Sequence, residues 1–128
     1  MAGISPTNTI ERRVLNDEIE ETYISATQAS ANCQTAVANG KGNYYALYRD
    51  FYQYFYHLFD LTRDIKEVTD KESKLCENIT QWFLGQKNIV TKPQAEVIKL
   101  ISEGNDWFRQ YKKVLSTSGV ISLPTRSK

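Results

Sequence analysis

Between residues 9 and 115 the apolar positions recur at alternating intervals of four and three, the period of helices that pack on other helices. In the first such segment Leu15, Ile19, Thr22, Ala26, Ala29, Cys33 and Ala36 form one seam, which from Thr22 onward holds only small side chains. A stripe of alanine and cysteine lets a second backbone come close, so bulky residues are expected across it. Asn8 followed by Glu11 has the form of an N-cap with its reciprocal acid and predicts a helix opening near Thr9. Asn39-Gly40 and Gly42 predict its end near residue 38.

The second segment follows Asn43, a suitable cap, and its seam is Tyr44, Leu47, Phe51, Tyr54, Leu58, Leu61, Ile65 and Val68. The register runs on through Glu72, Leu75, Ile79 and Trp82 to Gly85, with no intervening glycine or proline. This pattern predicts one helix over 44–84, about 60 Å long at 1.5 Å per residue. Thr69 with Glu72 offers a capping box at which that helix could break in two. Thr91 and Gln94 around Pro93 open the last helix, predicted over 93–115, with a seam of Val97, Ile101, Gly104, Phe108, Tyr111 and Leu115. Gly104 either permits a close contact or marks a kink.

No stretch alternates strictly as a half-buried strand would, and no internal repeat is present. The expected fold is therefore all-α: an antiparallel up-and-down bundle of three or four helices with coiled-coil-like heptad seams. One domain over 1–118 is expected, followed by a flexible tail, 119–128, whose apolar patch from Val120 to Leu123 could dock on a neighbour. A helix over 44–84 would outreach the first helix by roughly 15 Å. Self-association would be a natural cover for the seam so exposed.

The segment NYYALYRDFYQYFYHLF, residues 43–59, holds nine of the chain's fifteen aromatic residues. On a helical wheel they separate into two stripes. Beside the seam run Tyr48, Tyr52, Phe55 and Phe59, with Tyr45 and Tyr56 at the outer edge, and the apolar arc covers about 220° against the ~100° of an ordinary surface helix. Such a helix must touch more than one neighbour. Its seam is expected on the small-residue face of the first helix, and its second stripe on the last helix or on another subunit. Tyrosine buries its ring while its hydroxyl keeps a polar partner, which suits a boundary. Tyr45, Tyr48, Tyr52, Tyr56 and Phe59 are accordingly the expected interface residues.

Charge changes the picture little. The net charge of +1 gives no field strong enough to gather nucleic acid or anionic membrane. Its distribution is uneven, with a balance of −4 over residues 1–70 and +5 over 71–128, so acidic and basic helices are expected to face each other within the fold or an oligomer. Cys33 and Cys76 fall in helical segments and in no CxxC pair, as buried free thiols of a reducing compartment do, with a single bridge between them the alternative. No run approaches the ~18 apolar residues of a membrane span, and MAGISPTNTIERR lacks a signal-peptide core, so a cytoplasmic location is expected. The sequon Asn78-Ile79-Thr80 lies mid-helix and reads as chance.

A single histidine, His57, shortens the list of reactions. The metal-binding Glu-x-x-His, HExxH, the P-loop and GxGxxG are all absent. A HEPN-type ribonuclease sets a histidine four to six residues after an arginine, whereas Arg49 and His57 have seven residues between them. His57, Asp60 and Asp64 share a helical face and could hold a divalent ion only weakly, so a solvated acidic face is the simpler reading. Tyrosines together with Lys92, Lys99, Arg109, Lys112 and Lys113 suggest nucleic acid, but Asp50, Asp60 and Asp64 on the aromatic segment would repel phosphate. The sequence thus favours a non-enzymatic helical bundle without metal or cofactor, acting as a homo-oligomer or on a protein partner. A nucleic-acid-associated protein is the alternative, and a HEPN-type or metal-dependent enzyme centred on His57 a more distant one.

Overall fold

Four helices arise from the three periodic segments, because the second segment folds back on itself. The computed structural model describes residues 4–86 and 91–121, with side chains from Asn16 onward. The helices are α1 (Ile4–Asn39), α2 (Tyr44–Thr62), α3 (Lys66–Leu84) and α4 (Gln94–Thr117), and the described residues contain no strand. They pack as an all-α bundle.

The single helix expected over 44–84 is not formed. Its break lies at Arg63–Ile65 and not at Thr69, which sits within the first turn of α3. Arg63 N–H donates to the Phe59 carbonyl at 2.8 Å and closes the last turn of α2. Ile65 is extended, with φ −68° and ψ 128°. Thr62, fully buried, donates to the Leu58 carbonyl at 2.7 Å and therefore accepts from the Tyr111 hydroxyl, which ties the end of α2 to α4. Neither glycine nor proline marks the site, so the break is imposed by packing: an apolar arc as wide as that of α2 has to be covered from two sides. A second departure from helical geometry, at Glu72 (φ −144°, ψ 61°), kinks α3 where the heptad register carries an acid instead of an apolar residue.

The longest helix is consequently α1. Its 36 residues span about 54 Å, against about 29 Å for the 19 of α2, which reverses the expected overhang. Nor does α1 begin at Thr9 behind an Asn8 cap. It is already helical at Ile4 and carries Pro6 in its first turn, where a missing N–H costs no helical bond.

Every described residue of the α1 seam, from Ile19 through Thr22, Ala26, Ala29 and Cys33 to Ala36, is buried. The small side chains let α2 come close: Cys33 Sγ–H reaches the Leu47 carbonyl at 3.3 Å, and the Tyr44 hydroxyl the Ala36 carbonyl at 3.4 Å. Asn43 caps α2 by accepting from Ala46 N–H at 3.1 Å. Between α1 and α4 lies a buried polar contact, in which Asn105 Oδ1 accepts from Ser30 and from Gln34 Nε2 while its Nδ2 donates to the Ile101 carbonyl. Both acceptor sites of its Oδ1 and one N–H of its Nδ2 are thereby paired, which offsets most of the cost of burying the amide.

The tail expected from residue 119 begins inside the fold. Gly119 takes φ +83°, its N–H donates to the Ser116 carbonyl and Val120 N–H to that of Leu115, the bond pair of a Schellman cap. That turn aims Ile121 back into the core, where it is buried. The remainder of the Val120–Leu123 patch lies outside the described residues.

The α4 seam is buried throughout, and Gly104 within it serves close contact. A Cβ there would stand 2.8 Å from Phe51 Cε2 and 3.0 Å from Trp82 Cη2, ring atoms that are themselves wedged among other rings. Gly104→Ala should therefore destabilise the protein by about 1–3 kcal/mol through overpacking, outweighing the ~1 kcal/mol that alanine gains in a helix interior. A urea midpoint equal to or above that of the native chain would show the contact to be loose.

Candidate functional site

The aromatic run of α2 was the strongest functional signal in the sequence, and most of it is covered by the chain itself. Its second stripe meets α3 and α4. Phe83 of α3 is the centre, with ring centroids 5.3 Å from Tyr52, 5.0 Å from Phe55, 5.1 Å from Tyr56 and 5.5 Å from Phe59. From α4, Phe108 packs against Phe51 and Phe55, and Tyr111 against Phe55 and Phe59. Two of the five expected interface residues, Tyr48 and Phe59, lie in this core. Tyr54, placed on the seam by its spacing, is instead 43% exposed. The buried line of α2 runs through Tyr44, Tyr48, Phe51, Phe55, Leu58 and Thr62, turned toward α3 and α4 by one position at alternate steps.

The tyrosine hydroxyls of the edge are occupied. Tyr45 donates to the Lys92 carbonyl, Tyr48 to Gln86 Oε1 at 2.8 Å, and Tyr52 reaches the Phe83 carbonyl at 3.4 Å. Gln86 is held in turn, its Nε2 donating to the Trp82 carbonyl at 2.9 Å. Three hydroxyls thus fasten α2 to the end of α3 and to the start of the segment leading into α4. Only Tyr56, 45% exposed and stacked on Tyr52, presents a ring to solvent from this edge.

Burial also fixes the protonation of the interior. It pushes the Cys33 thiol up to about 12, helped by the nearby charge of Asp50, and raises the Tyr48 and Tyr111 hydroxyls above the usual tyrosine value. Such a thiol is inert as a nucleophile, and both cysteines are free and buried.

A second region was not legible as a site. Where α1 lies beside α2, Ile24, Ser25, Gln28, Ala29 and Asn32 face Leu47, Asp50 and Tyr54 across an open groove of about 440 Å³. Ile24 is 57% exposed and Tyr54 stands opposite it. Ile24 falls off the α1 seam, and its isolation as an aliphatic residue on a polar face is the one signal of it in the sequence. His57 Nε2 pairs with Glu18 Oε2 at 2.9 Å between the same helices. Asp64 lies in the turn after α2, so the three-residue face of His57, Asp60 and Asp64 does not persist, and the described residues contain no cluster of three metal-ligating groups. No described helix is long and apolar enough to cross a membrane.

No ion pair among the described residues joins the acidic half of the sequence to the basic half. Among the described residues Lys66–Asp70, Lys74–Glu77 and Arg109–Asp106 each lie within one helix, and His57–Glu18 is the ion pair that joins two. Comparison with protein-family models, curated proteins and solved structures gave no match for this chain.

Two measurements test the ring core and its ionisation. Phe83→Ala should cost about 3–5 kcal/mol in urea unfolding, as the loss of a large buried ring does, and a cost below about 1 kcal/mol would remove Phe83 from the centre of the core. For pH, the unfolded chain gives up the Cys33 proton near 9.0 and the tyrosine protons near 10.0, whereas the fold retains them. The unfolded state then binds fewer protons, so the stability present below pH 9 is lost as pH rises toward about 12. Cys33→Ala should flatten the part of the decline that begins near 9, and Tyr48→Phe the part that begins near 10.

Proposed function

We propose that the chain is a non-enzymatic helical-bundle protein that acts by association, with a second copy of itself or with another protein, and that its contact face is the side where α1 and α2 run together. One observation carries this reading. Ile24 and Tyr54, two large side chains on different helices, are both exposed and flank the same open groove. Their walls are the most closely packed helices of the bundle, built on the alanine and cysteine seam, so the groove is preformed. A preformed recess of mixed apolar and polar lining avoids the ordering cost of assembling one on binding.

The tyrosine edge contributes less to this reading than the sequence suggested, since Tyr45, Tyr48 and Tyr52 spend their hydroxyls on the chain itself. Tyr56 and its neighbourhood remain a subsidiary surface. Nucleic acid is the weaker reading. Of the α4 cations, Arg109 is paired with Asp106 and Lys112 lies 4.9 Å over the Phe108 ring, while the exposed rings of Tyr54 and Tyr56 are on the acidic half. Two buried free thiols fit a reducing, cytoplasmic setting.

Light scattering on the native chain and on Ile24→Asp tests the assignment of the face, with circular dichroism as the control for folding. Where the native chain associates, with itself or with an added partner, Ile24→Asp should abolish that association at unchanged helicity. Association that survives Ile24→Asp and Tyr54→Ser together would place the contact elsewhere.

A further inference from the structure

We infer that the α1–α2 groove receives a basic amphipathic helix of a partner protein and not a second copy of this chain. The inference rests on the association reading above and adds the chemistry of the occupant. The groove is two helical turns long on each wall, from Ile24 to Asn32 on α1 and from Leu47 to Tyr54 on α2. That length suits apolar residues spaced i, i+3 or i+4 and i+7 on one face of a docked helix. Ile24, Ala29, Leu47 and Tyr54 supply the apolar contact.

Charge chooses between the occupants. Of the charged residues from 16 to 65, seven are acids and three are lysine or arginine. Asp50 lines the groove itself and makes no ion pair with another described residue. Along α1, Glu21 lies one turn before Ser25 on the same stripe, Glu20 one turn before Ile24, and Asp17 one turn before Glu21, all exposed. The acidic stripe therefore leads straight out of the apolar one. A second copy seated through the same face would meet this acidic surface with an equally acidic one, and no residue lining the groove carries a positive charge to offset it, which opposes self-pairing through the face. The α4 surface of another copy is a poorer occupant, because its exposed line of Lys99, Ser102, Asp106, Arg109 and Lys113 is polar and the apolar residues beside it, Ile98, Leu100 and Trp107, are each partly covered by their own chain. A foreign helix with an apolar stripe bordered by lysine or arginine satisfies both requirements, setting its apolar side chains in the recess and its cations against Asp50 and Glu21.

The test uses the full chain and two labelled peptides of about 18 residues, each with leucine on one helical face, the first with lysine and the second with glutamate on the other. Fluorescence anisotropy reads binding, and light scattering on the same samples reads self-association. The lysine peptide should bind and the glutamate peptide should not, with affinity falling as salt rises. Ile24→Ser, and separately Glu21→Lys with Asp50→Lys, should each weaken binding about tenfold, while Asp70→Lys on α3 leaves it unchanged. Equal binding of the two peptides, or equal loss with Asp70→Lys, overturns the inference. A chain that binds neither peptide but self-associates in an Ile24-dependent way also overturns it and leaves the association reading standing. A chain that stays monomeric and binds neither peptide overturns both.

Discussion

The ring of Phe83, seated among Tyr52, Phe55, Tyr56 and Phe59, is the contact on which the arrangement of the bundle depends. A helix with apolar side chains around most of its circumference cannot be satisfied by one neighbour, since each neighbour covers little more than a quarter of the turn. The chain meets that demand by bending after Thr62 and returning α3 over the stripe that α1 leaves open. Once α3 is there, Trp82 reaches Gly104, whose missing side chain admits the rings of two other helices at once. Bend, hub and glycine are one solution to a single excess of apolar surface.

That dependence explains which parts of the structure could be read from the sequence. The class of fold, the α1 seam and the α4 seam were legible because each of those helices buries one narrow stripe, for which a heptad count is sufficient. Asn43 as a cap was legible because capping is local. The bend at Arg63–Ile65 was not, because nothing local produces it: Thr62 and Ile65 are compatible with a helix, and the heptad register runs unbroken through Leu61 and Ile65. The local capping signal lies at Thr69 and Glu72 instead, and Glu72 does depart from helical geometry, seven residues beyond the break. A packing constraint between distant segments was being expressed at a site with no marker of its own.

The candidate site divides on the same line. Tyrosine enrichment suggested a boundary between buried and polar surroundings, and the hydroxyls of Tyr45, Tyr48 and Tyr52 meet polar groups of the chain itself near the end of α3 and the start of α4. Exposure of Tyr54 follows from the drift of the buried line away from the strict heptad, which moved one ring out of the core and over the α1–α2 groove. Ile24 was invisible to periodicity for the opposite reason, being a lone aliphatic residue among polar neighbours. Regular patterns reveal what a helix buries in its own chain; what it leaves outside is recorded in the exceptions.

The hydroxyl contacts of the tyrosine edge carry one more consequence. Tyr45 is joined to the carbonyl of Lys92, a group that every residue type possesses. The lysine can therefore be exchanged without disturbing that bond, whereas the tyrosine that reaches it cannot. Tyr48 is different, because its partner is the side chain of Gln86 and the two are tied by identity. Chains that drift apart while keeping this bundle should hold Tyr45 against a changing residue 92, and should change positions 48 and 86 together or not at all.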